Sequence, residues 1–182
     1  AIWTSLDGAD RDALKLLSAL DITADQVEML FEDNATEDLS REELVANPYY
    51  AAICSHQHPL QVSFNTVDRA VFPAPHVTWE SPLPAESQMS DPRDRRRVEA
   101  FVTDLLEEMA QEGDTLSGLP EIIERANLRE FVRPLKLSPE LLRAYGLDGA
   151  DGGLEEAWSP VVATKLADMS PALKLRRLEV TK

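Results

Sequence analysis

Arg93, Arg95, Arg96 and Arg97 form the one dense basic cluster of an otherwise acidic chain. They follow Asp91-Pro92, a cap and proline that predict the start of a helix. Cations in a first turn oppose the helix dipole, and a guanidinium presents a planar fork of donors suited to phosphate. The placement hints at phosphate contact. The competing reading is a solvated face on which Asp91, Asp94 and Glu99 pair with the arginines. Tyr49 and Tyr50 offer rings on which bases could stack; the alternative is that they pack a short helix against its neighbours.

Three other groupings have the residue types for chemistry but not the full pattern. Cys54, His56 and His58 would face one way in an extended segment, yet a tetrahedral zinc needs a fourth ligand and this spacing fits no standard structural site. The bland alternative is a free cysteine beside a polar turn, and no metal is expected. Gly113 and Gly118 have the glycine spacing of a phosphate-binding loop. Leu119-Pro120 then stands where the lysine and hydroxyl must be. The histidines lie only at positions 56, 58 and 76, and nothing near them marks an activated nucleophile. Adjacent carboxylates such as Glu107-Glu108 carry no weight in so acidic a chain. No catalytic residue is expected.

The composition sets the frame. The chain has 182 residues, 43% hydrophobic and 28% charged, with a formal net charge of −15, the profile of a globular protein of one domain or two small ones. The acid is unevenly spread: net −9 over residues 1–50, −2 over 51–90, −4 over 91–150 and zero over 151–182. Duplex DNA is held by many Lys/Arg–phosphate contacts, which this chain could supply only locally, at Arg93–Arg97 and Lys174–Arg177. Avid stand-alone DNA binding is not expected. No apolar run is long enough to span a bilayer, and a single cysteine excludes an internal disulfide and suits a reducing cytoplasm. The opening Ala1-Ile2-Trp3 reads as that of an excised or processed piece.

The elements that must position these groups are mainly helical. Leu14, Leu17 and Leu20 mark one face of a helix over about 9–20. Thr23–Gln26 is a capping box opening a second helix, which turns Val27, Leu30 and Phe31 inward, and Ser40–Glu43 is another, opening a third. Asn47-Pro48 predicts a short helix through about Cys54, and Phe64–Asp68 begins one ending near Phe72. Five prolines over 73–92 predict an irregular, exposed loop, with Trp79 as a plug over the core. Val98, Phe101, Val102, Leu105, Leu106 and Met109 recur at helical spacing in the strongest helix of the chain. Further helices are predicted from about Pro120 to Leu128 and from Ser138-Pro139 to a stop at Gly146. Leu173-Lys174-Leu175 alternates like a strand, while Ser170-Pro171 caps like a helix.

Residues 13–137 resemble the region that precedes the motor domains in RecD-type helicases, the exonuclease V alpha family. Four stretches carry the resemblance, in the family's order. Leu17–Thr23 looks like its first helix-hairpin-helix, and Leu44-Val45-Ala46-Asn47-Pro48-Tyr49 like its NPY turn. Phe64-Asn65-Thr66-Val67-Asp68-Arg69 is similar to the helix start of its second hairpin. Asp91-Pro92 through Arg97, then Glu112-Gly113-Asp114-Thr115, are similar to the helix and turn leading into a winged-helix-like piece. Two departures stand out. Gln61-Val62-Ser63-Phe64 occupies the place of Gly-Ile-Gly-Phe, so this hairpin lacks the glycines that let backbone N–H groups approach a phosphate closely. Asp114 replaces the usual histidine.

The Pro-rich loop over 73–92 is longer than the family's, and nothing matches after about Leu137. Taken with the residue pattern, the resemblance implies tandem helical hairpins over 1–72 and a long helix plus a winged-helix-like region over 93–182 with at most a small β-hairpin. It implies a non-catalytic, DNA-positioning region of a cytoplasmic 5′-to-3′ DNA helicase of recombination and repair. The partners would be single-stranded or forked DNA, held weakly, and the motor domains of the same parent chain. The tentative DNA contacts are Ser63, Asn65, Thr66 and Arg69 with Arg93, Arg95, Arg96 and Arg97. ATP and Mg²⁺ belong to the motor and no cofactor is expected in these residues. The alternative is an acidic module docking on a partner subunit without direct DNA contact. Because the loop lysine is missing, the 182-residue chain is predicted to show no Mg²⁺-dependent ATP binding by calorimetry; stoichiometric binding would place the motor here.

Overall fold

The computed structural model describes residues 6–31, 39–55, 58–77, 81–112 and 118–147. Among them the protein is mainly helical and contains no strand. In chain order the helices are α1 (Gly8–Ala19), α2 (Ala24–Phe31), α3 (Arg41–Ala46), α4 (Tyr50–Ser55), α5 (Phe64–Val71), a 3₁₀ turn (Ala85–Ser87), α6 (Arg95–Gln111), α7 (Leu119–Leu128) and α8 (Pro139–Ala144). No helix among the described residues is long and apolar enough to cross a membrane. The chain divides into two compact units, Ala1–Ala100 and Phe101–Lys182, so the boundary falls within α6 and not in the Pro-rich stretch.

In the first unit the starts of the helices follow from local hydrogen bonding. The Asp7 carboxylate accepts from the Asp10 N–H ahead of α1. Both capping boxes form: Thr23 and Gln26 exchange side-chain and backbone bonds, as do Ser40 and Glu43, satisfying N–H groups that a helix start leaves without partners. The buried stripe of α1 is Ala13, Leu16, Leu17 and Leu20, with Leu14 only half-buried; the face is rotated by about one residue from the expected one. Likewise Met29 joins Leu30 in the core while Val27 is half-buried. Helices α3 and α5 both end just ahead of a proline, Pro48 and Pro73, which cannot continue the hydrogen-bond ladder.

Trp79 lies outside the described residues. The described part of the Pro-rich stretch is irregular and mostly exposed, as expected, but it is anchored: Leu83, Pro84 and Ser87 are buried. The cause is α3, whose last carbonyls need donors. Asn47 N–H donates to Glu43 O, the Ser87 hydroxyl donates to Val45 O at 2.6 Å, and the Arg96 Nη1 donates to Ala46 O at 2.6 Å. Prolines suit such a segment because they make no demand for N–H partners of their own.

The second unit holds the remainder of α6, α7 and α8. Phe101 meets Phe131 edge to face, with centroids 4.9 Å apart. After α7 the chain runs extended through Leu135 and Leu137, which are buried and alternate with exposed Pro134 and Lys136. Its pairing partner is a side chain: Asn127 donates through Nδ2 to Leu137 O (3.0 Å) and accepts at Oδ1 from Leu137 N–H (2.9 Å). Residues 148–182, with the strand-like Leu173-Lys174-Leu175 and the helix-like cap Ser170-Pro171, lie outside the described residues.

Helix α8 ends in a Schellman turn: Leu147 N–H donates to Leu142 O and Gly146 N–H to Arg143 O. The turn needs the left-handed backbone of Gly146, φ +69°, and there is open space around the position of a Cβ. Gly146→Ala is therefore expected to lose only the backbone preference, about 1–2 kcal/mol, and Gly146→Asn less. Denaturant melts of the full chain check this; an alanine variant as stable as wild type would exclude the left-handed turn.

Candidate nucleic-acid interface

Helix α5 separates two kinds of surface. Its inward face carries Phe64, Val67, Asp68 and Val71, all buried, at the i, i+3, i+4, i+7 spacing of a core stripe. One member of that stripe is a carboxylate, and an ionised group in a core requires a partner. The partner is Arg97, fully buried in the first turn of α6. Its Nε donates to Asp68 Oδ1 at 2.6 Å and its Nη2 to Oδ2 at 2.8 Å, a fork-on-fork pair. Nη1 donates to Pro92 O at 2.9 Å, and the guanidinium carbon lies 4.6 Å from the centre of the Phe72 ring, within cation–π range.

Tyr49 completes the constellation. Its hydroxyl donates to Asp68 Oδ1 at 2.7 Å, and its ring stacks on Phe64 with centroids 5.2 Å apart. Burial, then the negative charge of Asp68, push the Tyr49 phenol well above its ordinary range. A ring so enclosed is not available to stack on a base; Tyr50, on the other side of the turn, is 37% exposed. The Tyr49 backbone is held by Asn47, whose Oδ1 accepts from Tyr49 N–H at 3.2 Å, the self-bonding turn to which asparagine is suited.

The four arginines of the basic cluster thus have different places. Arg97 is interior and is corrected from a surface candidate to a core residue. Arg96 is half-buried and bridges: its fork holds Asp94 at 3.0 and 2.9 Å, while Nη1 also donates to Glu86 O at 2.8 Å besides Ala46 O. Its hydrogen bond to Asp94 draws that carboxyl below its usual range. Arg95 is exposed and paired with Glu99 on the next turn. Arg93 is exposed, and its N–H donates to Asp91 Oδ1 at 2.8 Å. The helix begins at Arg95, not at Pro92, because Asp94 supplies the cap, accepting from Arg96 N–H at 3.0 Å.

The remaining candidates gather on the outward side of α5. Ser63 caps the helix, accepting from Thr66 N–H at 3.1 Å, and the two hydroxyls lie 2.9 Å apart. Asn65 and Arg69 are exposed one turn apart, with Thr66 beside them half-exposed. Among the described residues Arg69 makes no ion pair or side-chain hydrogen bond. The sequence marks its position too: Arg69 stands opposite the stripe Phe64–Val67–Asp68–Val71, with no acid at i±4.

Among the described residues no group of three His, Cys, Asp or Glu side chains could hold a metal. Cys54 is exposed, the His58 Nδ1 accepts from Leu60 N–H at 3.1 Å, and His56 lies outside the described residues. Gly118 is the N-cap of α7 with Pro120 in its first turn, whereas 113–117 lie outside the described residues. Compared with protein-family models, curated proteins and solved structures, the chain matches none.

Removing one partner of a buried ion pair leaves the other uncompensated, at a cost of about 3–5 kcal/mol. Arg97→Met is expected to lose that much in urea melts, and Arg95→Ala no more than about 1 kcal/mol, as for exposed pairs. Tyr49 adds a pH dependence. Its folded-state pKa is raised, so its contribution is complete below the unfolded value near 10 and is lost as pH rises beyond it. Above that pH, wild-type stability should fall more steeply than that of Tyr49→Phe, by up to about 1.4 kcal/mol per pH unit. Parallel pH profiles for the two proteins would remove Tyr49 from the buried network.

Proposed function

We propose that this chain is a non-catalytic, DNA-positioning region of a RecD-type 5′-to-3′ DNA helicase, acting beside motor domains supplied elsewhere in the parent protein. One observation carries the reading. Tyr49 of the NPY turn, Asp68 of the FNTVDR helix and Arg97 of the DP-led helix come from three of the four stretches that resemble the family, and they meet in one buried network. Residues so far apart in sequence would be retained together because a shared core requires all three at once. In this reading α1–α2 and α4–α5 correspond to the two helical hairpins, and the second unit to the winged-helix-like piece.

The DNA-contacting side is the outward face of α5, led by Arg69 with Ser63, Asn65 and Thr66, and joined by the exposed Arg93 and Arg95. Such a surface grips phosphates without reading bases. It is small, and the chain's charge of −15 opposes it, so binding is weak and strongly salt-dependent. A specific observation also favours a second reading, an acidic module that docks on a partner subunit: Arg96 and Arg97 are both engaged by acceptors within the first unit.

Fluorescence anisotropy with labelled single-stranded and forked DNA tests the proposal on the full chain. Three exposed arginines predict a slope of log affinity against log salt of about −2, at roughly −0.7 per contact, and micromolar or weaker binding at ~150 mM salt. Arg69→Ala should weaken binding on every sequence and flatten the slope by about 0.7. Absence of binding even at ~20 mM salt, where phosphate contacts are strongest, would overturn DNA positioning. Co-elution with a helicase or nuclease subunit under those conditions would establish the docking module instead.

A further inference from the structure

We draw no further inference here: the strongest candidate, the exposed apolar pair Leu128 and Val132 at the end of α7 and in the loop that follows it, carries nothing, because nothing in the structure shows what covers it.

Discussion

A buried guanidinium and a buried carboxylate, Arg97 and Asp68, are the constraint around which the first unit is organised. Taking either charge out of water alone would be prohibitive, so each can be interior only because the other is. Their geometry meets the condition: two parallel N–H···O bonds join them, a tyrosine hydroxyl occupies a further lone pair of the carboxylate, and a backbone carbonyl takes another guanidinium proton. Helix α5, the turn before α4 and the start of α6 are thereby fixed to one another. A buried pair of this kind is weak evidence of net stability over a hydrophobic replacement. What it imposes is register, since a slip of one residue in α5 or α6 would strand a charge.

The same constraint divides the basic cluster by function. Arg95, Arg96 and Arg97 are consecutive on the first turn of α6 and point in different directions, about 100° apart from one residue to the next. Position 97 therefore points into the core with Val98, while position 95 points out towards Glu99, and Arg96 lies between, over the carboxyl end of α3. There it does for Ala46 O what Ser87 does for Val45 O. Two of the four cations thus answer internal acceptors, and the other two, Arg93 and Arg95, are exposed. On α5 the division is cleaner: the stripe that buries Asp68 leaves Asn65 and Arg69 exposed on the opposite side.

The second unit solves a different problem, how to bury an extended segment without a second strand. Leu135 and Leu137 bury their side chains as a strand would, and one asparagine supplies both hydrogen bonds that a neighbouring strand would have given to Leu137. Lys136, facing out, donates to Asn127 O at 2.6 Å and so covers a free carbonyl at the end of α7. The alternation of these residues is that of a strand, but the partner is a side chain on a helix.

Helical class, several helix starts and most of the core were legible in the sequence because they depend on groups close together along it, although Asp94 and not Asp91-Pro92 opens α6. Thr23–Gln26, Ser40–Glu43 and Ser138-Pro139 cap locally, Gly146 turns the chain locally, and all six apolar residues from Val98 to Met109 are buried as their spacing predicts. The missing phosphate-loop lysine at Leu119-Pro120 was equally legible. What sequence did not disclose was which charges are interior. Asp68 stands at a core position of its stripe, which signals that a counter-ion is needed but not where it comes from; Arg97 lies 29 residues further on. Nor could the prolines of 73–92 announce that Ser87 would reach Val45. Capping and amphipathic spacing are local and therefore determined by the sequence alone, whereas the pairing of buried charges and the satisfaction of helix-end carbonyls depend on which segments meet, and only the tertiary structure decides that.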